Sequence, residues 1–148
     1  MENKKRITAE LFIYLSNIAL PLLLGLVIYI LYKPQALVVK WINALFSFEA
    51  VKGIYSNLNP IQLLLRNYFC DMCWSYAFTF SVATVIGYSK SGLICAVIIN
   101  AVLSVFIETV QFIGIADGTA DIADVVLQVI SGVIAAIIIT LIFRRKNK

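Results

Sequence analysis

Histidine is absent from this chain of 148 residues, and only 14% of the residues are charged. Without histidine, an imidazole-based zinc site, a serine–histidine–aspartate triad and a histidine general base are all excluded. Acid–base chemistry would therefore have to use carboxylates. Cysteine is scarce too: Cys70 and Cys73 form a C-x-x-C pattern, and Cys95 stands apart. Because the pattern lies in a predicted helix without βαβ context, we interpret these cysteines as packing residues, with a redox pair or metal ligands as alternatives.

Hydrophobic residues make up 61% of the chain and gather in four long runs. A bilayer core about 30 Å thick requires roughly 20 helical residues, so each run with its apolar continuation can span it. The sequence therefore predicts an all-α, multi-pass membrane protein: a single transmembrane domain over residues 1–148, built as a four-helix bundle. The predicted spans are about 11–32, 67–89, 93–113 and 122–143. The first run is too long for a signal-peptide core, and we interpret it as a retained span.

An amphipathic segment is predicted between the first and second spans. Its apolar stripe at helical spacing is Leu37, Val38, Trp41, Ile42, Leu45 and Phe46. Such a helix either lies in the membrane interface or folds back onto the bundle, and both alternatives stay open for residues 34–48. Beyond it, Asn59–Pro60 is typical of a helix start, with asparagine as the cap and proline in the first position.

The basic residues are distributed unequally between the two sides of the predicted bundle. The larger group is Lys4, Lys5, Arg6, Lys90, Arg144, Arg145, Lys146 and Lys148. The smaller group is Lys33, Lys40, Lys52 and Arg66. The positive-inside rule then predicts a cell-membrane protein with both termini in the cytoplasm. We interpret the basic residues that flank the spans as topology signals and not as a nucleic-acid-binding surface. The expected partner is therefore the lipid bilayer.

Polar stripes follow the third and fourth predicted helices toward the outer side. They consist of Asn100, Ser104, Glu108 and Gln111, and of Asp121, Asp124, Gln128 and Ser131. A carboxylate at the bilayer centre costs roughly 2.5–3.5 kcal/mol on insertion scales, so these groups should face one another, a cation or water. Capping by Asp121 and Asp124 is the simpler interpretation, but it is not expected to account for Glu108 at the end of another helix.

Hairpin connections should bring these groups together with Asp71 in one water-accessible outer pocket. The predicted site residues are Asp71, Glu108, Gln111, Asp121, Asp124, Gln128 and, as the nearby cation, Arg66. Carboxylates in excess of cations must bind a cation, share protons or become protonated. Oxygen ligands suit Mg²⁺, Ca²⁺ or Mn²⁺, so a divalent cation held by Asp71, Glu108, Asp121 and Asp124 is an alternative for the site.

The same residues carry a resemblance to a known family. The helix end Phe106–Gln111, followed by Asp121-x-x-Asp124, then Gln128 and Ser131–Gly132, resembles the VanZ-like family. That family has an I-E-x-x-Q helix end, a D-x-x-D pair, an amide and a small residue. Residues 67–77 resemble its aspartate–tryptophan segment, and the resemblance extends over residues 60–143. Many members have arginine where Gly118 stands, asparagine at the position of Gln128 and glycine at that of Ser131.

The resemblance implies a VanZ-like protein of the cell envelope associated with resistance to glycopeptide antibiotics of the teicoplanin type. Its acidic site would bind a lipid head group, a wall precursor or the antibiotic at the outer face. The alternative is an intramembrane hydrolase or transferase that uses carboxylates or a metal on a lipid-linked envelope substrate. A proton-coupled transporter is a third hypothesis. It is less favoured than the other two, because four helices offer little room for transport unless the chain forms oligomers.

Overall fold

The computed structural model describes residues 11–32, 40–41, 44–45, 59–115 and 120–144. Its four long helices are α1 (Leu11–Tyr32), α2 (Pro60–Ile86), α3 (Lys90–Phe112) and α4 (Ile122–Arg144). All four are long and apolar enough to cross a membrane, and this part of the chain contains no strand. The predicted all-α architecture with four membrane spans is therefore confirmed, although α2 begins earlier than the predicted span at residue 67.

Successive helices are antiparallel, which gives the bundle two chemically different ends. At one end α2 and α4 begin and α3 ends, close to most of the acidic residues; we call it the acidic end. At the opposite end α2 ends, α3 begins with Lys90 and α4 finishes with Arg144. We call this the basic end.

Capping groups fix where α2 and α3 begin. Asn59 Oδ1 accepts from the Gln62 N–H at 2.8 Å, and Gln62 Oε1 accepts from the Asn59 N–H at 2.9 Å. This reciprocal capping box precedes Pro60 and confirms the predicted helix start. At α3, Ser89 Oγ accepts from the Gly92 N–H at 3.1 Å.

A Schellman motif ends α3 at the acidic end. Gly114 has φ 75°, its N–H donates to Gln111 O at 3.0 Å, and Ile115 N–H donates to Val110 O at 3.1 Å. Glycine reaches this left-handed conformation without a Cβ penalty. The chain therefore leaves α3 sharply, a short distance before α4.

A π-helical turn interrupts α1 over Leu15–Ala19, where the Leu20 N–H donates to Leu15 O. It lies immediately before Pro21, which has no N–H with which to continue the α-helical ladder. A second π-helical turn, Leu65–Phe69, precedes Asp71 in α2. Such turns widen a helix locally and shift the direction of the side chains that follow.

The polar and small residues of α1 form its packing face on α2. Gly25 is buried, its carbonyl accepts from the Cys70 thiol at 3.2 Å, and a Cβ there would stand 2.9 Å from Trp74 Nε1. Asn17 Oδ1 accepts from the Tyr76 hydroxyl at 2.7 Å. The four-residue spacing of Asn17, Pro21 and Gly25 puts all three on one face and predicts close helix packing there, which the structure shows. Cys70 and Cys73 are both buried, in agreement with a packing role.

α2 is the central helix, because it contacts α1, α3 and α4, while α3 and α4 also pack on each other. Near the basic end the contact is apolar, with Phe80, Ala83, Ala96 and Ile139 fully buried in one cluster. The rings of Tyr88 and Phe143 stack beside it with centroids 3.9 Å apart. Apolar packing therefore joins the helices in this half of the bundle.

The amphipathic segment is described only at residues 40–41 and 44–45, which are helical. Trp41 is 71% exposed and Leu45 is 76% exposed. Their exposure favours a helix lying in the membrane interface over one folded onto the bundle. The other residues of the predicted stripe lie outside the described part of the chain.

Candidate functional site

Two carboxylates at the acidic end cap the start of α4. Glu108, only 9% exposed, lies in α3, and its Oε2 accepts from the Asp121 N–H at 2.8 Å. Asp121 immediately precedes α4, and its Oδ1 accepts from the Ala123 N–H at 2.8 Å. In a capping box, a glutamate in the first turn of a helix accepts a hydrogen bond from the backbone N–H of the residue that caps the same helix. Glu108 makes the equivalent bond to Asp121, but from the neighbouring helix α3.

The expectation that capping would not account for Glu108 is wrong. That expectation rested on α3 alone, because the dipole of a helix disfavours an anion at the C-terminal end. In the fold, the Glu108 carboxylate also lies beside the N-terminus of α4, where an anion is favoured. Capping therefore explains the position of both Glu108 and Asp121.

Tyr68 connects this pair of carboxylates to α2. Its hydroxyl donates to Asp121 Oδ2 at 3.4 Å. The sequence analysis did not identify Tyr68, although it precedes Asp71 by three residues and therefore lies on a similar helix face. The start of α4 is consequently bonded to both α2 and α3.

Asp71 lies at a different contact, between α1 and α2. The Tyr29 hydroxyl donates to Asp71 Oδ1 at 3.0 Å. Tyr29 was also missed, although it continues the four-residue spacing of Asn17, Pro21 and Gly25 along the packing face of α1. The structure therefore joins Glu108 with Asp121 directly, and holds Asp71 through α1.

A divalent cation is one alternative for the acidic end, and the part of the chain that the structure describes can be searched for its ligands. There, no group of three or more cysteine, aspartate or glutamate side chains is placed to hold a metal ion. The described residues therefore give no support to the divalent-cation alternative for Asp71, Glu108, Asp121 and Asp124, which stays an alternative. Tyr29 bonds to Asp71 from α1, whereas Glu108 and Asp121 bond to backbone N–H groups at the start of α4.

Three further predicted residues lie at the acidic end. Asp124 is half-buried in the first turn of α4, and Gln111 is half-buried in the last turn of α3. Arg66 Nε donates to Oδ1 of the neighbouring Asn67 at 3.0 Å. The participation of these three residues in ligand binding stays a prediction.

Deeper in the bundle, the two polar stripes meet α2 in a buried network. Ser75 Oγ donates to Asn100 Oδ1 at 2.8 Å and lies 2.7 Å from Gln128 O, which also accepts from Asn100 Nδ2 at 3.1 Å. Ser131 Oγ donates to Met72 O at 2.6 Å. Both stripes face the interior as predicted, but Gln128 joins this network through its backbone carbonyl.

Among the described residues, negative charge gathers at the acidic end of the bundle. Three acidic residues, Glu108, Asp121 and Asp124, gather at the start of α4, whose N-terminus contributes the equivalent of roughly half a positive charge. A carboxylate that accepts one hydrogen bond retains lone pairs for further donors. This arrangement suits a ligand that brings positive charge or N–H and O–H donors.

No family model, curated protein or solved structure matches this chain. The resemblance to the VanZ-like family therefore rests on the motif between Phe106 and Gly132, and stays a prediction.

Proposed function

We propose that this chain is a VanZ-like protein of the cell membrane, with both termini in the cytoplasm and the acidic end at the outer face. Its role would be in the cell envelope, in resistance to glycopeptides of the teicoplanin type. The observation that carries the proposal is the buried Glu108 carboxylate beside Asp121 at the start of α4. The unequal distribution of basic residues supports the orientation.

The proposed ligand is a lipid head group, a wall precursor or the antibiotic itself. All three reach the outer leaflet, where the acidic end would lie. Recognition would depend on donors or a positive charge in the ligand, because the site offers carboxylate oxygens from Glu108, Asp121 and Asp124. Tyr68 and Tyr29 hold the carboxylates of Asp121 and Asp71 from α2 and α1, so much of the site is positioned before a ligand arrives.

An intramembrane hydrolase or transferase is the second candidate function. The hydrogen bond from the Asp121 N–H to Glu108 keeps these two acidic residues close together, as a general acid and base would require. The metal-dependent form of this hypothesis has less support, because the described residues lack a group of three suitable ligands.

Binding to the purified protein tests the proposal. The full chain in lipid nanodiscs would be titrated with teicoplanin and with a lipid-linked wall precursor, and plain nanodisc lipid would serve as the blank. We expect Glu108→Gln to weaken binding of at least one of these ligands about tenfold, or about 1.4 kcal/mol. Glu10→Gln, the same change just before α1, should leave binding unaltered.

Two results would decide against binding as the function. If the wild type binds neither ligand above the blank, or if Glu108→Gln and Glu10→Gln bind equally well, the acidic end is not a receptor site. Conversion of the precursor during the titration would instead favour the enzyme hypothesis.

A further inference from the structure

Exposed apolar side chains surround the acidic end of the bundle and continue beyond its carboxylates. We call them the apolar collar, which consists of Ile61, Leu64, Phe112, Ile113, Ile115 and Ile122. Each of these side chains is more than half exposed. A large exposed apolar patch marks a surface that contacts another protein or a membrane.

The collar extends farther from the basic end than the carboxylates do, on two different helices. Phe112 ends α3 one turn beyond Glu108, which is about 6 Å along the helix axis. On α2, Ile61 lies about 10 Å beyond Tyr68, the residue that bonds to Asp121. The carboxylates are therefore not the outermost level of the bundle, because apolar surface continues past them.

The length of α3 gives the same depth. Lys90 begins α3 at the basic end, and Glu108 lies about 27 Å from it along the helix axis. If Lys90 is at one edge of a hydrocarbon core about 30 Å thick, Glu108 is still inside the opposite edge. Tilt of α3 reduces the thickness that these residues span and would place Glu108 deeper.

Lipid is the occupant that fits the collar. The collar is continuous with the exposed apolar faces of the spans, such as Val105 and Phe106 on α3, which contact lipid in a transmembrane bundle. At the outer edge of the collar, α2 begins with the capping box of Asn59 and Gln62, whose polar groups suit the membrane interface. The carboxylates lie on the bundle side of this level.

We propose that Glu108, Asp121 and Asp124 lie below the membrane interface, at the edge of the hydrocarbon core, and that their ligand reaches them laterally from the leaflet. The ligand is accordingly a membrane lipid or a lipid-linked wall precursor, with N–H or O–H donors in its head group. This ligand class rests on the proposed function, whereas the depth follows from the collar and the length of α3. The site thus differs from the water-accessible pocket that the sequence predicts.

Two carbodiimides of different solubility test the route to the carboxylates. The full chain in lipid nanodiscs would be treated with dicyclohexylcarbodiimide, which dissolves in lipid, or with a cationic carbodiimide that dissolves in water. Peptide mass spectrometry gives the labelling of Glu108, Asp121 and Asp124. Glu2, in the charged N-terminal flank, is the control within the same chain.

Relative to Glu2, we expect the carboxylates of the acidic end to favour the lipid-soluble reagent severalfold. Glu108→Gln should lose the label at that position alone. The same preference at Glu2 and at the acidic end, or a preference of the acidic end for the water-soluble reagent, would overturn the proposal.

Spin labels on the collar measure its depth without relying on carboxylate reactivity. In a background without the native cysteines, labelled Phe112→Cys and Ile115→Cys would be compared with Val102→Cys, which is exposed at the middle of α3. Asn147→Cys, in the charged C-terminal flank, gives the reference for water. Folding of each variant would be checked by gel filtration.

We expect both collar labels to collide more with dissolved oxygen than with a water-soluble nickel chelate, as the label at Val102→Cys does. A preference for the chelate, as at Asn147→Cys, would overturn the proposal. Spin–spin broadening with little access to either reagent would overturn it too, because a second copy of the chain would then cover the collar.

A lipid-free form of the precursor's head group tests the class of ligand. It should not displace the lipid-linked precursor from the wild-type protein, because it does not enter the leaflet. Displacement would overturn the ligand class. Binding of neither form would contradict the proposed function as well. Normal precursor binding combined with water-exposed collar labels would contradict the depth of the site and leave the proposed function intact.

Discussion

Glu108 lies between two helix dipoles of opposite effect. Its own helix, α3, disfavours an anion near its C-terminus, whereas the N-terminus of α4 favours one. A buried backbone N–H without a partner costs about 1–3 kcal/mol, so the bond from the Asp121 N–H to Glu108 stabilises the start of α4. Glutamine retains an acceptor oxygen at this position and removes the charge. Glu108→Gln therefore separates the structural bond from any role of the charge in binding.

A side chain at Gly132 should disturb the packing of α4 against α2 and α3. In Gly132→Ala the new Cβ would meet Asn100 Nδ2 at 2.8 Å and Thr79 Oγ1 at 2.9 Å. We expect the free energy of unfolding in detergent to fall by about 1–3 kcal/mol, the usual cost of overpacking. Thr140→Ala, an exposed position on the same helix, should change it little. Wild-type stability of Gly132→Ala would show that α4 does not approach α2 and α3 this closely.

The attachment of α1 to α2 shows what the sequence of a helix can predict about its contacts. The spacing of Asn17, Pro21 and Gly25 identified the packing face, because that spacing is a local property of α1. The partners Tyr76 and Asp71 were not identified, since they depend on the relative depth of two helices. Length and hydrophobicity define a span but do not set this depth to within one turn.

The position of the amphipathic segment can be measured through Trp41. The chain has two tryptophans, so Trp74→Phe leaves Trp41 as the only one. Its fluorescence should be quenched most strongly by lipids brominated close to the head group, because an interfacial helix buries its apolar face at that level. The reverse variant, Trp41→Phe, reports Trp74 within α2 as a reference. Absence of quenching at Trp41 would indicate a segment that does not contact the bilayer.

Across the whole molecule, local sequence patterns predicted the helices and the polar stripes that face the interior. They did not predict which side chains of different helices contact each other. The start at Asn59–Pro60 and the polar faces of α3 and α4 follow from neighbouring residues along the chain. The partners of the acidic side chains were not predicted, because the backbone N–H groups and tyrosine hydroxyls that bond to these carboxylates carry no distinct signal in the sequence. Tyr68 shows this: only the fold brings its hydroxyl to Asp121.

The orientation of the whole bundle is testable by cysteine labelling in intact cells. In a background without the native cysteines, Gly118→Cys lies in the connection between α3 and α4, and Asn147→Cys lies near the C-terminus. A membrane-impermeant maleimide should label Gly118→Cys directly, and Asn147→Cys only after permeabilisation. The reverse pattern would place the acidic end in the cytoplasm and remove the basis for an outer-face ligand.

Antibiotic susceptibility measured together with membrane abundance tests most directly whether the acidic end is a functional site. Glu108→Gln keeps an acceptor for the Asp121 N–H, and Asp124→Asn keeps the shape of its side chain, so both proteins should accumulate to near wild-type levels. We expect cells that carry either variant to become as susceptible to teicoplanin as cells that lack the protein, while Glu10→Gln retains wild-type resistance. Wild-type susceptibility in both Glu108→Gln and Asp124→Asn, at normal abundance, would contradict the account and leave these carboxylates with a capping role alone.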